Sequence, residues 1–123
     1  MPSYPVSPQA TVVLNASGNG QCSITPPAGT RWDLALAAVS TTSTVNASRA
    51  LLYLGNSGGP LTLVDSTYLG NNASSGKVAG APFFPGTYLW AVWTGADAGS
   101  VATLQAYGTQ FTRYRAAARD LRG

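Results

Sequence analysis

The sequence predicts an all-β fold: a two-sheet antiparallel β-sandwich, wound as a jelly roll of about eight strands, with a short C-terminal helix. Three observations carry that expectation. Residues 87–94 and 100–107 are rich in aromatic and β-branched side chains and flank a tight Gly95-Ala-Asp-Ala-Gly99 turn. Similar short runs recur at intervals of roughly ten residues. The gaps between them hold turn chemistry: Ser17-Gly-Asn-Gly20, Pro26-Pro-Ala-Gly29, Asn56-Ser-Gly-Gly-Pro60 and Pro85-Gly86.

In chain order, residues 1–9 form a proline-rich N-terminal arm, because three prolines in the first eight residues bar it from a central strand. Residues 10–110 are the sandwich domain, with strands at 10–15, 21–25, 32–41, 49–54, 61–67, 77–79, 87–94 and 100–107. Residues 111–123 carry the one helical pattern. Thr112 stands at its cap, Phe111 at the staple position, and Tyr114, Ala118 and Leu121 fall on one face. A helix this short persists in water only when docked.

Composition narrows the function. The 123 residues include no histidine, no glutamate, one cysteine and four aspartates, and charged residues make up only 9%, against roughly 25% in an ordinary soluble domain. A surface of hydroxyls, amides and backbone suits a protein covered by neighbours. The net charge of +3 comes from the tail: Arg113, Arg115, Arg119 and Arg122 against Asp120. The remaining body is neutral and has no basic stripe for phosphates, so nucleic acid is not an expected partner. A single cysteine, Cys22, excludes an intrachain disulfide and reads as a buried, inert thiol. No run approaches the ~20 apolar residues of a membrane span. The first residues lack the charged and apolar regions of a signal peptide, so the expected place of synthesis is a cytoplasm.

Apparent catalytic motifs fail on chemistry. Gly55-Asn-Ser-Gly-Gly-Pro60 looks like the loop around a protease nucleophile, but a serine needs a neighbouring base, which in those enzymes is a histidine. It reads as a turn. Gly70-Asn-Asn-Ala-Ser-Ser-Gly-Lys77 misses the phosphate-loop spacing and has Val78 where a hydroxyl should bind Mg2+, so it reads as a polar loop. Asn15-Ala-Ser17, Asn46-Ala-Ser48 and Asn72-Ala-Ser74 read as Asn/Ser turns, not glycosylation sites. The aspartates are scattered at 33, 65, 97 and 120, with no metal-ligand spacing. The expectation is a protein that is not an enzyme and needs no cofactor or metal.

Binding is sought on aromatics. Alternation in residues 87–94 sets Leu89, Ala91 and Trp93 against Tyr88, Trp90 and Val92. In 101–107 it sets Ala102, Leu104 and Ala106 against Val101, Thr103, Gln105 and Tyr107. The set left outside gives a stripe of Tyr88, Trp90 and Tyr107, joined by Tyr53. Three fates are open to it: cover by a loop or the C-terminal helix, a subunit interface, or a sugar-stacking platform. A second candidate site is the tail. There Tyr114, Ala118 and Leu121 dock, and Arg115, Arg119 and Arg122 either face a partner or form a solvated basic face on a helix docked on its own chain.

From Ala10 to Gln110 the order of features resembles a family of short β-sandwich proteins in tailed bacteriophages of actinobacteria, labelled minor tail or virion structural proteins. The matching residues are Gly18-Asn-Gly20, Pro27-x-Gly29-x-x-Trp32, Val39-Ser-Thr41, Leu52-Tyr53-x-Gly55 and Val64-Asp-Ser-Thr67 leading to Leu69-Gly70. They continue with Pro85-Gly86, Ala91-Val-Trp-Thr-Gly-Ala96, Ala102-Thr-Leu104 and Tyr107-Gly-Thr-Gln110. The resemblance implies a virion component, a minor tail protein or a capsid decoration, assembled in the host cytoplasm among other virion proteins. The alternative is a carbohydrate-binding module that holds a host-surface glycan. Outward aromatics and the habits of ring and spike assemblies add a homo-oligomer, with a trimer as the expected form. In that assembly the N-terminal arm lies on a neighbouring subunit and the arginine stripe faces an acidic patch.

Overall fold

A computed structural model gives the fold and describes residues 3–69, 72–76, 78 and 82–112. The described residues are all β, in ten segments: β1 Ser3–Val6, β2 Gln9–Val13, β3 Gly20–Ile24, β4 Thr30–Thr41, β5 Arg49–Asn56, β6 Gly59–Leu69, β7 Asn72–Ser75, β8 Pro82–Phe83, β9 Tyr88–Thr94 and β10 Val101–Thr112. They make two antiparallel sheets packed together. In the first, β10 and β4 are central, β1 and β2 follow one another along the free side of β10, and β7 and β8 line that of β4. The second runs β3-β9-β5-β6. The pairings nest. β2 lies with β10, β3 with β9, β4 with β7 and β8, and β5 with β6, so the two halves of the chain run back along each other across both sheets.

Alternation fixes which residues fill the gap between the sheets. Leu89, Ala91 and Trp93 of β9 are fully buried, as are Ala102, Leu104 and Ala106 of β10. Leu34, Val39, Leu52, Val78 and Phe83 join them in one core that both sheets share. In β4 the alternation changes phase. Trp32 and Leu34 point inward, Ala35 and Leu36 are both exposed, and Ala37 and Val39 point inward again. Pairing with β10 jumps from Tyr107↔Leu36 to Gly108↔Leu34, so Ala35 is the extra residue of a β-bulge. The same level holds the break between β1 and β2, where Ala106 N–H donates to the Pro8 carbonyl.

Four expectations need correction. The N-terminal segment is not a free-standing arm. Residues 3–6 form an edge strand on this chain's own β10, and an edge tolerates Pro5 because a strand there needs only one side's hydrogen bonds. Tyr4 is tied in through a chain of bonds: Trp32 Nε1 donates to Gln110 Oε1 at 2.9 Å, and Gln110 Nε2 donates to the Tyr4 hydroxyl at 2.6 Å. The polar loop expected at 70–77 contains β7, and Asn72 is a strand residue, not a turn. The strand expected at 77–79 centres on Val78, which sits in a turn; residues 77 and 79 lie outside the described residues. The helix does not start at Phe111 and Thr112, which continue β10 in pairing with Arg31 and Thr30. The remainder of that helix, 113–123, lies outside the described residues.

The expected turns at the other sites form as read. Asn15 Oδ1 accepts from the amides of Ser17 and Asn19, and Gly58 N–H donates to Asn56 Oδ1 at the β5–β6 hairpin. Gly108 marks the tightest approach of β10 to β4. A Cβ built there would lie 2.2 Å from the Asp33 carbonyl oxygen, which is backbone and cannot swing aside. Gly108→Ala is therefore expected to destabilise the protein by about 2–3 kcal/mol. Gly76→Ala, whose Cβ meets nothing within 4 Å, should stay within about 0.5 kcal/mol of wild type in urea unfolding.

Candidate functional site

The four aromatic candidates separate into three and one. Tyr53 on β5 is the direct cross-strand partner of Trp90 on β9, and Tyr88 stands opposite Gly55, two residues along. The core takes their strand neighbours Leu52, Leu89 and Ala91, so these three rings lie on the outer face of the second sheet. Tyr107 belongs to β10 opposite Leu36, on the outer face of the first sheet and the far side of the molecule. The expected four-residue stripe does not exist. Sequence alternation assigned each ring to the outside of a strand but not to one particular sheet.

The cluster of three is held in place. Tyr88 and Trp90 stack with ring centroids 6.3 Å apart and planes inclined by 26°. The Trp90 indole N–H donates to the Asn56 carbonyl at 3.0 Å, which fixes the ring over the β5–β6 hairpin. Gly55 lies between Tyr53 and Asn56 and puts no side chain in its way. Tyr53, Tyr88 and Trp90 are each half-buried by their neighbours.

Two further residues of this face were not singled out in the sequence. Leu63 of β6 is paired with Tyr53 and is 49% exposed. Leu61 precedes it by two positions, the spacing that returns a strand side chain to the same side, and is 69% exposed. The register shift between Leu52 and Tyr53 inserts Val64 into β6 and reverses the phase after Leu63. As a result, Val64 packs against the core and Asp65 pairs with inward Leu52, accepting a hydrogen bond from the Ser75 hydroxyl.

The other acids are likewise occupied with local structure. Asp33 pairs with Arg31 at 3.3 Å, and Arg31 lies 4.3 Å above the Phe111 ring. Asp97, in the β9–β10 connection, accepts the backbone N–H groups of Thr44, Val45 and Asn46 at 2.8–3.0 Å and also the Asn46 side-chain amide. These bonds, that of Val45 foremost, hold its carboxyl down at about 2 from an ordinary 3.8. Asp120 lies outside the described residues. Cys22 is half-buried on β3, its thiol 3.6 Å from the Ala10 carbonyl, and burial pushes it up to about 11. At pH 8 only roughly one thiol in a thousand would be ionised, which makes it a poor nucleophile. Among the described residues no three of His, Cys, Asp and Glu come together as metal donors. The tail candidates Tyr114, Arg115, Ala118, Arg119, Leu121 and Arg122 lie outside the described residues. No helix among the described residues is long and apolar enough to cross a membrane.

Neither protein-family models nor curated proteins give a match to this chain.

Asp97 ties the β4–β5 loop to the β9–β10 connection through its charge. Because its folded-state value is depressed, its contribution to stability is complete above 3.8 and is lost as pH falls toward 2. Asp97→Asn should be less stable than wild type at pH 7, with the difference shrinking between pH 4 and pH 2. Urea midpoints measured across that range check it.

Proposed function

We propose that this chain is a non-enzymatic structural protein of a bacteriophage virion, a minor tail component or a capsid decoration protein, acting by protein–protein assembly. The observation that carries the assembly reading is the outer face of the second sheet. It bears an ordered aromatic cluster beside two exposed leucines, the kind of apolar patch that marks a contact surface. The scattered and locally committed aspartates, and a thiol held protonated, support the non-enzymatic side. The phage assignment rests on the resemblance of residues 10–110 to actinobacteriophage tail and virion proteins. The nested strand order reads as a jelly roll, an architecture that serves viral capsid and lectin domains alike and so does not choose between them.

Attachment to a host-surface glycan is the second reading, favoured by the Tyr88–Trp90 pair as a stacking platform. It fits less well. A sugar needs an open ring face and donors beside it, whereas these rings are half-buried and the Trp90 N–H is already committed to Asn56. The exposed large apolar side chains on the face are the aliphatic Leu61 and Leu63.

Quantitative mass spectrometry of purified particles from the phage that encodes this chain tests the assignment. The expected result is a stoichiometric virion component, at tens of copies for a tail location or hundreds for a capsid one. Absence of the chain from particles that contain all their other structural proteins overturns the proposal. Millimolar binding of a defined glycan that Trp90→Ala abolishes would move the role to host attachment.

A further inference from the structure

Resting on the assembly reading, we propose that the outer face of the second sheet binds a second copy of this chain across a two-fold axis near Tyr53 and Leu63. The solution form is then a dimer and not the trimer expected from the sequence. Four features of the structure lead there.

The first is charge. An isologous contact places each group near its own copy, so a charge close to the axis meets a like charge. Around the axis stand Tyr53, Leu61, Leu63, Tyr88, Trp90 and Val92, all neutral. Asp65, the one charged residue of β6, is turned to the opposite side by the bulge. Arg49 is the charge of β5 on this face, four residues from Tyr53 and so about 13 Å along the strand. With the axis lying in the interface and crossing the strands at Tyr53, two such arginines stand roughly 26 Å apart, well beyond the screening length of about 8 Å at physiological salt. Among the described residues Arg49 is the one charge of the face and stands at its margin, so the centre has nothing to steer an ionic partner and nothing to repel itself.

The second is direction. Apolar side chains also project from the first sheet, where Leu36 and Tyr107 face each other across β4 and β10. A ring of three must use two patches inclined to one another by about 60°. The outer faces of two packed sheets point away from each other, and joining one to the other builds an open stack. A two-fold contact uses one face alone and closes.

The third is the state of the sheet edges, the other route by which β-proteins associate. β1 carries Pro5 and β2 begins just after Pro8. β7 has four residues, and β8 has two and starts with Pro82. β3 has five residues, and β6 carries Pro60 and is irregular in its pairing. Proline, short length and bulges are the devices that keep edges from pairing with other chains. Association is thereby left to a face.

The fourth is area. Four strands about 4.8 Å apart, seven residues long at about 3.3 Å each, span a planar face of roughly 19 by 23 Å. Two such faces together bury roughly 900 Å2 before side-chain relief is counted, below the roughly 1,200 Å2 at which stable interfaces begin and in the range of weak, transient ones. The dimer is therefore weak and dependent on concentration, with dissociation on the order of micromolar.

Sedimentation velocity of the purified chain from low to high micromolar concentration reads this directly. The expected result is a monomer–dimer equilibrium that Leu63→Lys weakens by at least about tenfold while leaving the circular dichroism and melting temperature unchanged. Site-specific oxidation reads the symmetry. Leu63→Cys should form a disulfide with its own copy, whereas Val13→Cys on the opposite sheet face should not, and half-buried Cys22 should stay silent in both. A trimer, a monomer throughout the range, or equal cross-linking at the two engineered positions overturns the proposal. A monomer that is nonetheless incorporated into virions removes the dimer and leaves the assembly role. A dimer absent from virions does the reverse.

Discussion

Everything in this molecule depends on two neighbouring strands that bury alternate residues against each other from different sheets. β9 is central in one sheet and β10 in the other, and the chain passes between them through residues 95–100. Leu89, Ala91 and Trp93 on one side and Ala102, Leu104 and Ala106 on the other are completely removed from water. At roughly 1.5–3 kcal/mol for each large side chain, this set is the main source of stability. It also bears a cost. Among the described residues the Trp93 indole N–H finds no hydrogen-bond partner, a penalty of about 1–3 kcal/mol that burial of the ring must exceed. The alanines keep their own positions in the core thin while Trp93, Leu104 and Leu89 supply bulk, the large-with-small arrangement that a close-packed interior requires.

The period of two made these strands legible in the sequence, because a strand flanked on both sides must sort its residues strictly between core and exterior. The edges obeyed weaker rules. β1 and β8 contain prolines, and β7 reads Asn-Ala-Ser-Ser, so each resembled an arm or a loop. Their pairing is imposed by the free sides of β10 and β4, which would otherwise leave hydrogen-bonding groups unmet. The same pressure extends β10 past Tyr107 to Thr112. A local capping signal at Thr112 is worth about 1 kcal/mol, less than the ladder bonds to β4 and the Gln110 contacts with Trp32 and Tyr4 that a helix there would forfeit.

The candidate site was half legible for a related reason. Alternation correctly put Tyr53, Tyr88 and Trp90 outside, but it cannot say which sheet a strand joins, and so Tyr107 was grouped with rings on the far side of the molecule. The bulges were invisible altogether. In β4 the run Leu34-Ala-Leu-Ala37 is apolar at every position, and in β6 the phase changes within Leu63-Val-Asp65, so neither sequence marks the residue that slips. The slip in β6 matters most for function. It exposes Leu63 beside Tyr53 while turning Asp65 away, and the centre of a face that would have carried a carboxylate becomes apolar.

A face with an uncharged centre beside proline-blunted edges is a coherent design for a protein whose work is contact. That centre can be buried without stranding a charge, and the edges resist uncontrolled strand addition in a crowded assembly. Hydroxyl-radical footprinting of the chain, free at low concentration and incorporated in particles, tests that account most directly. The account predicts that Leu61, Leu63 and Trp90 lose most of their reactivity on incorporation. Equal labelling of Leu61 and Leu63 in the free and incorporated protein would contradict it.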